Sequence, residues 1–338
     1  MPLLRTSPLL FAAVMLGAST CSKPDPGEGK PPNAPVATDV QLKGVDTSAL
    51  TPRERKEWAE QVSELLAPCA DTPVSIAQCV KESRSCKACL PAAQFLLKQV
   101  RAGRPKKDRE EAFHARFDAG KVKTLVTGGS PEIGSPDAAV TIVEWADFEC
   151  PFCRAVYPVL DDLVKTYPTQ VRVVFKFYPL QSHPHGEIAA RAAAAALNQG
   201  KFWEMHHLLF DNQQALEQQD LEKYAKQAGL DLGKFRADFG SKELADRIEK
   251  DKKQAEELGL DGTPFLFING RNVNLQLLGN PIDDLGDWVK LDIELAGQTP
   301  KPVKAKDKDD KGAMPASTSS AVVPATAAPS GSAVAPKK

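Results

Sequence analysis

The stretch that most constrains this 338-residue chain is VEWADFECPFCRAVYP, residues 143–158, where an apolar run gives way to two cysteines three positions apart and then a helix-like pattern. Pro151 suits the first helical position, because it lacks the N–H that would be left over there and its φ is preset. Cys150 therefore falls at or just before a helix N-terminus. Backbone N–H groups and the positive end of the helix dipole favour its thiolate there. Cys153, one turn later, is within disulfide reach but deeper in the helix. That asymmetry assigns roles: Cys150 attacks or is attacked, and Cys153 resolves the mixed disulfide. Two plainer readings compete, a structural staple and half of a zinc site. A staple across two residues closes too small a loop to gain much entropy, and no second pair at zinc spacing occurs in this region. The residues favour a redox centre.

The rest of the chain sets the context. A net charge of −1, with no interleaving of basic and aromatic residues, gives no footprint for nucleic acid. Residues 1–20, MPLLRTSPLLFAAVMLGAST, carry one Arg, an apolar core and then small residues, the layout of an export signal. The core is too short to span a bilayer stably. Cys21 follows at once, and the arrangement resembles a bacterial lipoprotein signal, in which that cysteine becomes the lipidated first residue. Parity agrees, since seven cysteines less Cys21 leave six that can pair. Ordinary signal cleavage near Cys21 is the alternative. By either route the chain is expected outside the cytoplasm, where disulfides are permitted.

Residues 21–50 are rich in Pro and Gly and are expected to form a solvated tether. Some ~28 residues of such chain would hold the folded part on the order of 30 Å from an anchor. Residues 298–338 are low in complexity and are expected to be a disordered tail. Between them, residues 51–117 read as helical. Thr51 and Glu54 form a capping box around Pro52, a second helix is expected from Thr72 and Pro73, and a third carries Cys86 and Cys89 on its apolar side. Cys69, Cys79, Cys86 and Cys89 in so small a domain suit structural disulfides, with three possible pairings. A second redox pair at Cys86 and Cys89, able to relay electrons to Cys150 and Cys153, and a zinc site are the alternatives. Zinc ranks last because only one CxxC is present, with no histidine at ligand spacing.

Residues 118–297 alternate in pattern. Strands are expected at 122–126 and 140–146, a helix after the CPFC, and a strand at 171–178. A helical block follows from Glu187 to Leu258, then a strand at 265–269, a turn at Gly270, a strand near Val273 and a helix opening at Pro281. The sum is an α/β layered fold with a helical insertion, preceded by a small cysteine-containing helical domain.

VTIVEWADFECPFC, the later PLQSHPHGEIAARAAAAALNQGKFWEMHHLLF and GLDGTPFLFINGR together resemble the DsbA-like branch of the thioredoxin superfamily, over residues 120–297 or so. The resemblance implies a thioredoxin-like fold split by a helical insertion, and a thiol-disulfide oxidoreductase with no cofactor and no metal. It implies that Thr263 and Pro264, the latter after a cis bond, face the CPFC and hold an incoming peptide by strand addition, with Phe152 beside them. It also implies that Glu144, an acid within a strand, lies beneath Cys153 and exchanges protons with it. An exposed strand carboxylate is the plainer reading of Glu144. Lys176, on a neighbouring strand, is its candidate charge partner. Asp147 and Glu149 are read as solvated, and His183, His185, His206 and His207 as surface or core-edge residues without a ligand pattern.

The expected activity is disulfide exchange with unfolded or reduced extracytoplasmic proteins, in the oxidase direction, with a membrane redox partner for recycling and a lipid anchor to the membrane. No charge from Pro151 or Phe152 supports the thiolate, so a mild oxidant is expected. The rivals are a reductase or isomerase, and a non-enzymatic lipoprotein that binds partners through a thioredoxin fold.

Overall fold

The computed structural model describes residues 40–303 apart from 276, 277, 279 and 280. The signal segment, Cys21 and positions 304–338 of the expected tail lie outside the described residues. No described helix is long and apolar enough to cross a membrane.

The N-terminal part is built from α1 (Pro52–Glu64), α2 (Ile76–Lys81), α3 (Cys89–Arg101) and α4 (Lys106–Phe117). Thr51 caps α1 with the full capping box to Glu54, and Trp58 on α1 is fully buried, its indole N–H donating to the Ala93 carbonyl at 3.0 Å. The second helix starts later than expected: Ser75 caps it, because residues 66 and 75 are tied by an isolated β-bridge and the Thr72 and Val74 N–H groups are spent on turns to the Cys69 and Thr72 carbonyls. α4 was not singled out by pattern. Residues 40–50 are no tether, since Val40, Leu42, Val45 and Leu50 are buried in the helical core. Four apolar side chains spaced through a stretch without proline outweigh Gly44 and the proline-rich run before it. Residues 298–303 likewise depart from the expected tail: the Lys301 N–H and the Gln298 and Thr299 oxygens bond the Gln170 amide.

Among the described residues a five-stranded sheet runs in the order β1-β3-β2-β4-β5, with β1 (Glu132–Gly134), β2 (Val140–Ala146), β3 (Val171–Phe177), β4 (Phe265–Ile268) and β5 (Arg271–Val273). β2 and β3 are parallel, joined through α5 (Pro151–Thr166), and the other pairs are antiparallel. Both central strands are covered on both faces, which is why they read as continuous apolar runs. Between β3 and β4 the insertion comprises α6 (Gly186–Asn198), α7 (Phe202–Asp211), α8 (Gln218–Gln227), α9 (Leu232–Phe239) and α10 (Lys242–Glu257), and α11 (Pro281–Leu295) closes the domain. The chain has the thioredoxin-like fold with a helical insertion.

Two differences concern strands. Residues 122–126 form no strand; Val122 makes one bridge to Arg271, and Val122 and Val126 stay exposed. Beyond Val122 and Lys123, which reach the turn between β4 and β5, the run has no strand partner, and only Leu125 packs on the core. The short β1 was missed because its pairing depends on Gly134, whose φ is +106° and where a Cβ would meet the Val171 carbonyl oxygen at 2.3 Å.

A buried ion pair ties the helical part to α11. The Arg116 guanidinium donates to Asp292 at 2.6 Å and lies 4.0 Å from the centre of the Trp288 ring. Nearby, Lys98 pairs with Asp284 and Asp287.

Candidate active site

Strand alternation sets the site. On β2, Ile142 and Ala146 face the large core that holds Cys153, whereas Val143 and Trp145 face the α10 side. Glu144 shares the parity of the first set, so it points at α5 and the cysteines. On β3, Val173, Phe175 and Phe177 face that same core and Val174 the other. Lys176 therefore projects away from Glu144, contrary to the expected pairing, and its ammonium instead meets Asp251 of α10 at 2.8 Å. One residue of register decides which acid the lysine serves.

Cys150 is the N-cap of α5 and Pro151 its first residue. The Cys150 thiol donates to the Thr263 carbonyl oxygen at 3.4 Å, and the Thr263–Pro264 bond is cis. Both cysteines are unpaired thiols here; Cys150 is 3% exposed and Cys153 wholly buried. Phe152, between them in sequence, is 71% exposed, an apolar ring held out at the rim.

The two sulfurs are driven apart electrostatically. The Cys150 pKa is lowered to about 5, first by the hydrogen bond from the Cys153 thiol, then against the opposing cost of burial by the Thr263 hydroxyl and the backbone N–H groups of Cys153 and Phe152. The helix terminus thus contributes, but the neighbouring thiol contributes most. The Thr263 hydroxyl has no partner of ordinary hydrogen-bond geometry, and its closeness to the Cys150 sulfur favours the thiolate. Cys153 is pushed well up by burial, by its bond to Cys150 and by the Glu144 charge. Glu144 is raised to about 8, chiefly by burial, then by Asp161 and Cys150, and its Oε1 lacks a partner. It is a buried acid, not the exposed strand carboxylate of the plainer reading.

Sequence reasoning missed three residues that hold the loop. Asp147 is not solvated: its side chain is fully buried, accepting from the Glu149 N–H at 2.8 Å, the Leu180 N–H at 2.8 Å and the His183 ring at 2.7 Å. It locks the turn before Cys150 to the loop after β3. A Cβ on Gly186 would sit 2.9 Å from both its carboxylate oxygens, so the approach requires glycine. Glu149 is also held, by the His185 N–H and ring. Gln213, entering from the insertion, donates to the Phe148 and Cys150 carbonyls at 2.7 and 2.9 Å. No spacing rule links residues so far apart; only Asp two positions before a turn N–H was a local signal. His206 is a correction too: it is 2% exposed among Phe148, Phe175, Phe202 and Phe210, and burial lowers its pKa well below the usual value.

In the helical part the four remaining cysteines form disulfides 69–86 and 79–89. Cys86 and Cys89 are thus in different bridges at rest, and all four sulfurs are bonded to one another rather than available as zinc thiolates.

Residues 126–284 match the family model described as Thioredoxin. A Na(+)/H(+) antiporter NhaA 3 of Salinispora tropica is 45% identical over 139 residues, covering 41% of this chain and 21% of that protein. An antiporter NhaA of Herminiimonas arsenicoxydans is 42% identical over 147 residues, covering 42% and 23%. The chain thus spans under a quarter of the length of these curated relatives. Among solved structures, a thioredoxin-like oxidoreductase from Silicibacter pomeroyi DSS-3 aligns with a TM-score of 0.45 at 29% identity, over 49% of this chain and 94% of that one. BdbD from Bacillus subtilis aligns with a TM-score of 0.46 at 20% identity, over 51% and 97%.

Proposed function

We propose that this chain, whose residues 126–284 match the family model described as Thioredoxin, is a DsbA-like thiol-disulfide oxidoreductase that works through Cys150 and Cys153 and oxidises reduced extracytoplasmic proteins. The observation that carries this reading is the opposite displacement of two adjacent thiols, Cys150 down to about 5 and Cys153 well up. An ionised, stabilised Cys150 is a good leaving group, and a buried Cys153 thiolate is a poor resting state, so reduction of the pair is favoured and the disulfide form oxidises its clients.

In the proposed cycle a client thiolate attacks the Cys150 sulfur of the 150–153 disulfide, forming a client–Cys150 bond and releasing Cys153 as thiolate. Glu144, protonated at neutral pH, gives Cys153 its proton. A second client thiolate then attacks the client sulfur bonded to Cys150; the client leaves with its disulfide, and Cys150 departs as thiolate. A membrane redox partner takes the two electrons and restores the disulfide. The client backbone pairs with Thr263, ahead of Pro264, and packs on Phe152.

Two disulfides in the helical part support an oxidising compartment. Export by residues 1–20 and lipid attachment at Cys21 complete the proposal, and the mass of the mature N-terminus checks both. The decisive experiment pairs a glutathione titration with trapping. A potential near or above about −200 mV marks an oxidant, and one near about −270 mV reassigns the protein to reduction. Cys153→Ala should accumulate client adducts at Cys150; their complete absence leaves a binding module rather than an enzyme.

A further inference from the structure

The two disulfides of the helical part lie side by side. The sulfurs of Cys79, Cys86 and Cys89 are all within 4.8 Å of one another, although Cys86 is bonded to Cys69 and Cys89 to Cys79. Cys86 and Cys89 also sit three apart in a tight turn, the Cys89 N–H donating to the Cys86 carbonyl at 3.2 Å, and Cys89 is the first residue of α3. The bridges hold these sulfurs in a cluster, not at separate places in the core. Their exposure is uneven. Cys79, Cys86 and Cys89 are buried, while Cys69, in the Leu65–Thr72 loop, is only partly so. A thiolate arriving from solvent therefore meets Cys69 first.

We propose that this cluster is a second thiol-disulfide exchange centre, which captures a protein thiolate at Cys69 and closes a latent 86–89 CxxC disulfide behind it. The steps are redox-neutral. The incoming thiolate attacks Cys69, forming a mixed disulfide and breaking the 69–86 bond, and Cys86 leaves as thiolate. Cys86 then attacks Cys89, forming the 86–89 bond, and Cys79 leaves as thiolate. Cys79 attacks Cys69, forming a 69–79 bond and returning the original thiolate to its owner. Each step makes one S–S bond and breaks one, and no electron acceptor is needed. The second step needs only sulfurs already within 4.8 Å. The start of α3 offers the positive end of a thirteen-residue helix to the thiolates passing through the cluster. A purely structural pair of staples has no need of mutual reach between sulfurs of different bridges.

The test uses the full chain with Cys150→Ser and Cys153→Ser, so that its outcome does not depend on the function proposed for that pair. After incubation with a glutathione redox buffer, acid quench and peptide mapping, we expect the 86–89 and 69–79 bridges in about one molecule in ten or more, with glutathione adducts on Cys69. In the same background, Cys69→Ser should leave Cys79 free and Cys79→Ser should leave Cys69 free, both converging on the 86–89 bridge. If one variant fails to fold, the other and the unsubstituted segment still report. Recovery of only 69–86 and 79–89, with Cys86 free in Cys69→Ser and Cys89 free in Cys79→Ser, overturns the proposal.

Discussion

Replacing Glu144 by Gln should change how stability depends on pH, and the size of the change follows from its burial. In the disulfide form neither Cys150 nor Cys153 titrates, so Glu144 is the titrating group of this pocket. With both thiols free its carboxyl is raised from 4.5 to about 8, chiefly by burial, and that burial remains when the disulfide removes the smaller Cys150 contribution. Between those values the folded state holds one proton more than the unfolded state, and stability falls as pH rises. The slope is up to about 1.4 kcal/mol per pH unit, absent below pH 4.5 and flat again above about 8. By pH 7 the accumulated cost is on the order of 3 kcal/mol. Glu144→Gln removes the slope, while its own buried amide adds a penalty of about 1–3 kcal/mol that does not vary with pH. The assay is urea unfolding of both oxidised proteins at several pH values from 5 to 7.5. The buried His206 tilts both curves upward as pH rises towards 6.5, so the wild type should lose stability steadily relative to the variant; parallel curves would refute the raised carboxyl and its role as proton donor. In the reduced form the lowered Cys150 acts with the opposite sign. Its stabilisation is present above pH 9 and is lost as pH falls through about 5, so the reduced wild-type curve should be tilted upward with pH relative to the oxidised one and the reduced variant should rise with pH.

Cys150 should react with an alkylating agent at a rate that climbs through about pH 5 and is level by neutrality, and Thr263→Ala should move that midpoint upward, as followed by thiolate absorbance. Asp147→Ala strands the donors of Glu149, Leu180 and His183 and should cost about 2–4 kcal/mol in urea unfolding, whereas Asp147→Asn, which keeps an acceptor, should cost less. Lys176→Met leaves Asp251 buried without its cation and should destabilise by about 3–5 kcal/mol. Adding Asp251→Asn should recover part of that loss, and no recovery would mean the pair is not the source.

Much of the site was legible because its parts are local. A cysteine, a proline and a helix start are adjacent in sequence, and the physics that joins them, a preset φ and unpaired N–H groups, acts over one turn. The central strands declared themselves by continuous apolar runs, and the insertion by its helical periodicity. Residues 122–126 show the converse. Their composition suits a strand, yet a strand exists only where a partner does, and the turn between β4 and β5 pairs only with Val122 and Lys123. Residues 40–50 were misread for the same reason in reverse, their apolar side chains finding a core that composition could not locate.

The sequence by itself determined the chemistry on offer: which sulfur begins a helix, which lies a turn behind it, and that four other cysteines share a small helical segment. Tertiary structure alone decided the rest. Strand register turned Glu144 toward the thiols and Lys176 away from them, Asp147 bound the Cys150 turn to a loop more than thirty residues on, and packing chose one of three cysteine pairings. Each of these depends on distances between groups far apart in the chain, and such distances are fixed only when the whole core closes.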